Sequence, residues 1–506
     1  MFYFIDEILN SITMYRLVLY YLIALVGIAL AFCFFGLLPF NPIDLLFSTL
    51  LLTVVCWITN KVFARIFNVP ANVESVYISA LILALIVTPV KPPQDVMFLV
   101  WIAIWAMASK YILAIKGKHL FNPAAFAVAL TALTINQTAS WWVGTAPMLP
   151  FVIIGGILMV RKIRRFDLVF SFLFTALAVT LAFSLANHQS LVTVLQQTVL
   201  YSPLFFFASV ILTEPLTAPH TNRLQIIYGA IVGLLFSPQF HIGAFYVTPE
   251  LAILIGNVFA YIVSPKAKLL LELKNRVQIA PDVYDFIFTP NQKLSFAAGQ
   301  YMEWTLGHSN PDSRGNRRYF TLASSPTEKE LIVGVKFYPN SSTFKTSMLS
   351  MDGNSEIVAA QLAGDFVLPA DPQQKCVFIA GGIGITPFRS MIKYMLDTRQ
   401  KRPAVLFYSN KNVADILYKD VFDKAQQQLG LKTVYTLTGA ARVPAAWKGY
   451  VGHINRQMIK QEVPDYMHCI FYLSGPNAMV EDFEDVLSQM NVRKDQIKKD
   501  YFPGFA

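Results

Sequence analysis

The chain has 506 residues, 55% of them hydrophobic and 14% charged, with a formal net charge of +10. A mean hydropathy of +0.48 excludes a purely soluble protein. Cys33, Cys56, Cys376 and Cys469 lie far apart with no C-x-x-C pair, which excludes a disulfide scaffold, a Cys-rich zinc site and an iron–sulfur cluster held by this chain alone.

The charge is unevenly spread. Residues 1–265 hold 12 Lys/Arg and 8 Asp/Glu, so 20 of 265 positions are charged; residues 266–506 hold the other 29 and 23, so 52 of 241. The second density is ordinary for a soluble domain, where about a quarter of residues are charged, and the first is far too low for a water-facing surface. A membrane half joined to a soluble half is expected. The basic excess reads as cytoplasmic loops. No Lys/Arg stripe with interleaved aromatics occurs, so nucleic acid is not an expected partner.

A span needs about 20 mostly apolar residues. Ten candidates lie near 17–38, 42–60, 74–90, 95–115, 121–136, 142–160, 167–187, 194–212, 225–240 and 243–263. The first is long enough to span, so no cleavable signal peptide is expected. With ten passes, Arg16, Lys61, Arg65, Lys110, Lys116, Lys118, Arg161, Lys162, Arg164, Arg165, Arg223, Lys266 and Lys268 fall on the cytoplasmic side and only Lys91 outside. This places both termini and everything after Pro265 in the cytoplasm, with the chain multi-pass in the inner (cytoplasmic) membrane. His119, His188, His220 and His241 fall in loops or at span ends, so a haem relay within the helices is not expected.

Three segments, KGKHLFNPAAFAVAL (116–130), IIGGILMVRKIRRFDLVF (153–170) and SPLFFFASVILTEPLTAPHTNRLQIIYGAIVGLL (202–235), resemble a family of membrane proteins found in the sodium-pumping NADH:quinone reductase and in the Rnf complex. Each box also has a plain structural reading: Pro123 suits the first turn of a helix capped by Asn122, and Glu214-Pro215 can end one. The family carries FMN on a Thr in an S/T-G-A-T type motif. Between Asn122 and Gly155 this chain has only Gly144-Thr145-Ala146-Pro147, in the wrong order. Covalent FMN is therefore not carried over, and a non-covalent FMN or riboflavin in the membrane half is left open.

After Pro265 the pattern turns to β-rich runs, LLLELKNRVQI, VYDFIFTP, YMEWTLG and LIVGVKFY, as in an antiparallel β-barrel over 266–371. From Lys375, strands KCVFIA, PAVLFYSN, KTVYTLTG and CIFYLSG alternate with helical stretches near 386–398, 413–428 and 477–490. That alternation predicts an α/β parallel-sheet domain over 372–506. In CVFIAGGIGITPFRS, Gly381, Gly382 and Gly384 permit a tight turn and a close backbone approach. Thr386 and Pro387 then open a helix whose N-terminus favours a pyrophosphate. Some of these glycines would equally serve a structural turn.

Other residues join this motif. Arg318-Tyr319-Phe320-Thr321 offers a phosphate clamp, aromatic surface and a hydroxyl; Lys345 and Thr346 in STFKTS suit a diphosphate. Ser474-Gly475-Pro476-Asn477-Ala478-Met479 ends a strand and opens a helix. In order and spacing these boxes resemble the ferredoxin–NADP reductase superfamily across 266–506. The resemblance implies FAD held by Arg318, Tyr319, Phe320, Thr321, Lys345 and Thr346. It implies NAD(P)H held by Gly382, Gly384, Thr386, Pro387, Ser409, Gly475, Pro476 and Met479. Hydride would pass from nicotinamide to flavin N5, with Thr321 at N5 and Ser474, in place of the usual Cys, on the nicotinamide side. The aromatic end Tyr501-Phe502-Pro503-Gly504-Phe505 either covers the flavin or packs on the last strand. NADH against NADPH stays open, since Lys411 in Ser409-Asn410-Lys411-Asn412 serves as a 2′-phosphate partner or as a solvated loop residue. No metal site is expected.

The expected function is membrane-bound NAD(P)H oxidoreduction, passing electrons through FAD to the membrane half and on to quinone or an acceptor across the bilayer. The alternatives are an anchored flavin reductase serving a soluble partner such as ferredoxin, and a redox-driven ion translocator. Bilayer lipid and a quinone or other redox protein are the expected partners.

Overall fold

A computed structural model describes residues 9, 12–67, 73–115, 118–163, 165–219, 221–237, 240–243, 245–263, 269–308, 311–312, 315–353, 355–439 and 443–500. Lys116, Arg164, His220, Pro265, Lys266, Lys268 and the aromatic end at 501–505 lie outside them. The chain forms two compact units, Met1–Lys266 and Ala267–Phe502.

The first unit is helical: α1 Met14–Phe34, α2 Pro42–Ile66, α3 Val73–Ile86, α4 Val96–Ile112, α5 Pro123–Ile135, α6 Leu149–Ile163, α7 Phe166–Ala186, α8 Leu191–Leu200, α9 Leu204–Ile211, α10 Asn222–Phe236 and α11 Pro249–Val263. Each apolar run of the sequence falls on one of these helices, or on the pair α8 and α9. Yet among the described residues only α1, α2 and α7 are long and apolar enough to cross a membrane alone; α8 and α9, bent by 55°, make a fourth if they form one span. At 1.5 Å per residue, a 13-residue helix such as α5 covers only about 20 Å of a roughly 30 Å core. Hydropathy counts apolar residues and does not register where a helix stops. The run near 142–160 shows this, since its first residues are turns and α6 starts at Leu149.

The early stop of α3 is chemically completed by a later segment. Trp141 N donates to the Ile86 carbonyl at 2.8 Å and Val143 N to that of Leu85 at 3.2 Å. Trp142 Nε1 reaches the carbonyls of Ala84 and Val87 at 3.1 and 3.0 Å. Carbonyls orphaned at a helix end inside an apolar bundle are thereby satisfied. Close packing elsewhere depends on small residues. A Cβ on Gly229 or Gly233 of α10 would come within 2.6 and 2.7 Å of the Leu168 and Phe172 carbonyl oxygens of α7, the small-x-x-x-small contact of membrane bundles.

Two short hairpins, β1 Ala114–Ile115 with β2 Lys118–His119 and β3 His241–Ile242 with β4 Phe245–Tyr246, belong to the first unit. The second unit begins with β5 Leu269–Ala280, β6 Val283–Pro290, β7 Tyr301–Thr305, β8 Arg317–Thr321, β9 Leu331–Lys336 and β10 Glu356–Ala363, with α12 Thr343–Leu349 between β9 and β10. These strands form one antiparallel sheet in the order β8-β7-β10-β5-β6-β9. Its edges meet where Ala323 N donates to the Ile332 carbonyl at 2.8 Å, and Trp304, Phe286, Phe288 and Phe344 fill the inside.

The parallel sheet follows: β11 Cys376–Gly381, β12 Ala404–Asn410, β13 Lys432–Leu437, β14 Tyr450–Val451, β15 Ile470–Ser474 and β16 Ile497–Lys499, in the order β14-β13-β12-β11-β15-β16. Helices α13 Thr386–Asp397, α14 Lys419–Leu429, α15 Arg456–Glu462 and α16 Asn477–Gln489 cross over. Every residue of β11 is buried, as befits a central strand covered on both faces. The chain moves outward from β11 to β14, then returns to β15 on the other side. That reversal leaves a crevice at the carboxyl ends of β11 and β15, the place where open α/β sheets bind ligands.

Candidate functional site

The glycine turn leaves β11 at this crevice. A Cβ on Gly384 would stand 2.4 Å from the Ser474 carbonyl oxygen and 2.6 Å from Gly475 N; on Gly381 it would stand 2.3 Å from Met479 Sδ. The turn and the Ser474–Met479 box, about ninety residues apart in sequence, therefore press directly on each other. For Gly384 this chain-to-chain packing by itself requires glycine, as the structural turn left open in the sequence would. Gly382 differs: its φ is +53°, and a Cβ there would meet nothing within 4 Å, so the turn forms an open cradle beside α13. Thr386 and Pro387 begin α13, and Ser409 sits half-buried at the end of β12, paired with Gly381. Lys411 is exposed.

On the antiparallel sheet, Thr321 closes β8. Its Oγ1 lies 3.4 Å from Asp500 Oδ2, and Ser474 Oγ lies 3.0 Å from the same oxygen. One carboxylate oxygen thus accepts from the Thr321 and Ser474 hydroxyls together. Burial raises the Asp500 carboxyl to about 7 although both hydroxyls favour its charge. Asp500 N is tied to the Leu473 carbonyl at 2.9 Å, which fixes it beside β15. Nothing local in KKDYF marks this residue; only its arrival after the last strand of such a sheet would have pointed to it.

The other barrel residues are placed as follows. Arg318, 1% exposed, donates to the carbonyls of Gly315 and Arg317 at 3.2 and 2.6 Å, lies 3.7 Å from Asp312 and stacks over Phe344 at 5.1 Å. Phe320 packs on Phe344 within the core, and Tyr319 donates to Glu303 Oε2 at 2.8 Å. Lys345 Nζ donates to the Lys336 carbonyl at 3.1 Å and lies 5.7 Å from the Tyr338 ring. Thr346 is exposed. Two buried cations, Lys345 on α12 and Arg318 over Phe344 of the same helix, thus form a donor set suited to a diphosphate. Among the described residues no group of three His, Cys, Asp or Glu could hold a metal.

The helical unit has a site of its own. Asn122 caps α5 through Ala125 N at 3.0 Å and donates from Nδ2 to Glu214 Oε2 at 2.9 Å. Thr217 Oγ1 also donates to Glu214, and His119 Nε2 stands 3.5 Å from its other oxygen. The FNPA and TEP boxes, 92 residues apart, are therefore in contact. They line a cavity of about 60 Å³, partly open to solvent, with Tyr15, Ser75, Thr213 and Met159.

Known proteins divide along the same line. Residues 378–485 match the model of the oxidoreductase NAD-binding domain, and residues 142–267 that of the NQR2, RnfD, RnfE family; the FNPA box lies before the second match. The glycine betaine monooxygenase reductase subunit of Pseudomonas aeruginosa is 24% identical over 214 residues, 42% of this chain and 58% of its own length. The chain therefore spans under two thirds of that relative. Oxidoreductase NAD-binding domain-containing protein 1 of Homo sapiens is 24% identical over 237 residues, covering 42% of this chain and 72% of its own. Among solved structures, the cytochrome b5 reductase domain of Ulva prolifera nitrate reductase aligns at a TM-score of 0.41 and 21% identity, over 47% of this chain and 98% of its own. The chain is thus similar to two separate families, to NQR2, RnfD, RnfE over residues 142–267 and to the oxidoreductase NAD-binding domain over residues 378–485.

Proposed function

We propose that this chain is a membrane-bound, FAD-dependent NAD(P)H oxidoreductase whose helical half receives electrons and passes them to quinone or to an acceptor across the bilayer. The observation that carries the reading is the single Asp500 oxygen shared by Thr321 and Ser474. It joins the residue expected at flavin N5 to the residue expected beside the nicotinamide.

FAD, when bound, supplies a centre that accepts a hydride and releases electrons singly. Arg318 and Lys345 would hold its diphosphate and Tyr319, Phe320 and Thr346 would frame it, with Thr321 donating at N5. The cradle at Gly382 and the N-terminus of α13 at Thr386-Pro387 would take the dinucleotide pyrophosphate. Ser409 would meet the adenosine end, and Ser474 with Gly475, Pro476 and Met479 the nicotinamide. Asp500, with a carboxyl near neutrality, can hold a proton at Oδ2 and exchange it through either hydroxyl.

In the helical half, the reading takes the ten apolar segments as ten passes through the inner membrane, with both termini and the reductase half in the cytoplasm. The cavity beside Asn122 and Glu214 is partly open to solvent. Its carboxylate, amide and hydroxyl groups suit the ring edge of a non-covalent FMN or riboflavin. The test is the flavin content of the detergent-purified protein. Acid-released FAD together with FMN or riboflavin is the expected result; FAD alone would leave the helical half as an anchor.

A further inference from the structure

The residues that join the antiparallel sheet to α13 stand close, along the chain, to both proposed cofactor sites. Two residues beyond Thr321, the Ala323 carbonyl accepts from Arg389 Nη1 at 3.0 Å. One residue further, the Ser324 carbonyl accepts from Ser390 Oγ at 2.6 Å. Arg389 and Ser390 lie three and four residues into α13 from Thr386, a single helical turn from the end proposed to hold the pyrophosphate. Glu328 closes the loop: it accepts from Ser325 N at 2.6 Å and grips Arg389 with both oxygens, one of them at 3.0 Å from Nη2. Ser324, Ser325 and Ser390 are fully buried and Arg389 is 9% exposed. At the far end of α13, Asp397 accepts from Thr327 Oγ1 at 2.5 Å.

An interface that served only cohesion could lie anywhere along the two sheets. This one binds the two or three residues after the flavin-side hydroxyl to the first turn after the pyrophosphate end. It does so with a partly buried bidentate ion pair, whose geometry is directional. Hydride transfer demands reacting atoms about 3–3.5 Å apart, and a displacement of 1 Å costs on the order of a hundredfold in rate.

We infer that Arg389, Ser390 and Glu328 form a clasp that sets the distance between nicotinamide and flavin, acting as positioning residues for hydride transfer. The inference rests on the functional reading above and adds to it residues that touch neither cofactor.

The test uses the full-length, FAD-loaded protein and three variants, Arg389→Met, Ser390→Ala and Glu328→Gln, followed by stopped-flow reduction with NAD(P)H. The limiting rate of flavin reduction should fall about tenfold or more in Arg389→Met and less in Ser390→Ala. Glu328→Gln, which keeps an acceptor, should retain part of the wild-type rate. FAD content and dinucleotide affinity should stay unchanged, and the long-wavelength absorbance of the stacked nicotinamide–flavin pair should weaken in parallel. Without dinucleotide, amide exchange across residues 322–328 should quicken in the same variants. Unchanged rate and absorbance would overturn the inference, as would a loss explained by lost FAD or by weaker dinucleotide binding alone. If Arg389→Met does not fold, Ser390→Ala, which removes one hydroxyl, decides the matter. If the unaltered protein shows no reduction of its flavin by NAD(P)H, the functional reading fails and takes the clasp with it.

Discussion

Asp285, buried, and Asp500, half-buried, are carboxyl groups of the second unit whose protonated form the fold favours. Asp285, 8% exposed, accepts from Tyr418 Oη at 2.6 Å, and burial raises it to about 6 against an ordinary 3.8. For an acid raised in the folded state, the native protein holds the proton more tightly than the unfolded chain. Stability therefore falls as pH climbs from about 4 to 6 and stays lowered above that range. Asp285→Asn keeps the acceptor for Tyr418 and removes the charge. It should stabilise the unit by about 1–3 kcal/mol at pH 8 and by almost nothing at pH 4; thermal unfolding at the two values checks this. Asp500 titrates nearer 7, between the two hydroxyls. The limiting rate of NAD(P)H-driven flavin reduction should show an inflection near pH 7 that disappears in Asp500→Asn, measured by stopped flow from about pH 5.5 to about 8.5.

At the scale of elements, two glycines of one turn should fail differently. Gly384→Val drives a side chain into the Ser474 carbonyl and levers the turn away from β15. NAD(P)H-driven reduction should be lost while FAD stays bound and photoreducible. Gly382→Ala meets open space and bears only the strain of a positive φ, about 1 kcal/mol, with a correspondingly small loss. A stopped-flow comparison with photoreduction as control separates the two. The turn itself was legible because glycines between an apolar run and Thr-Pro form a local pattern. The partner of Gly384 was not, since Ser474 arrives from a strand about ninety residues later. Asp500 was invisible for the same reason: its meaning comes from β8 and β15 meeting beside it. In the helical half, apolar runs disclosed where the helices lie, but the ends of α3 and α5 depend on Trp142 and on Asn122 with Glu214, contacts that hydropathy does not encode.

For the whole molecule, the division into two compact units makes a cut near residue 266 informative. Residues 267–506 alone should oxidise NAD(P)H with ferricyanide, because both proposed cofactor sites lie within them. In liposomes the same piece should reduce quinone far more slowly than the intact protein, having no route through roughly 30 Å of hydrocarbon. Equal rates would show that the helical half is an anchor. The change in charge density near residue 265 made two halves legible from composition alone. The number of helices that cross was not, because a short helix and a full span share the same residues.

The cap on α3 also constrains the order in which this protein can be made. The carbonyls of Ala84, Leu85, Ile86 and Val87 receive their donors from Trp141, Trp142 and Val143, more than fifty residues downstream. During synthesis α3 emerges before those donors exist, and bare carbonyls in hydrocarbon each cost several kcal/mol. The C-terminal turn of α3 therefore gains its full set of hydrogen bonds only after α5 and the tryptophan turn have followed it. Full seating of the third helix becomes a late event in biogenesis, timed by the appearance of a segment that lies two helices further along the chain.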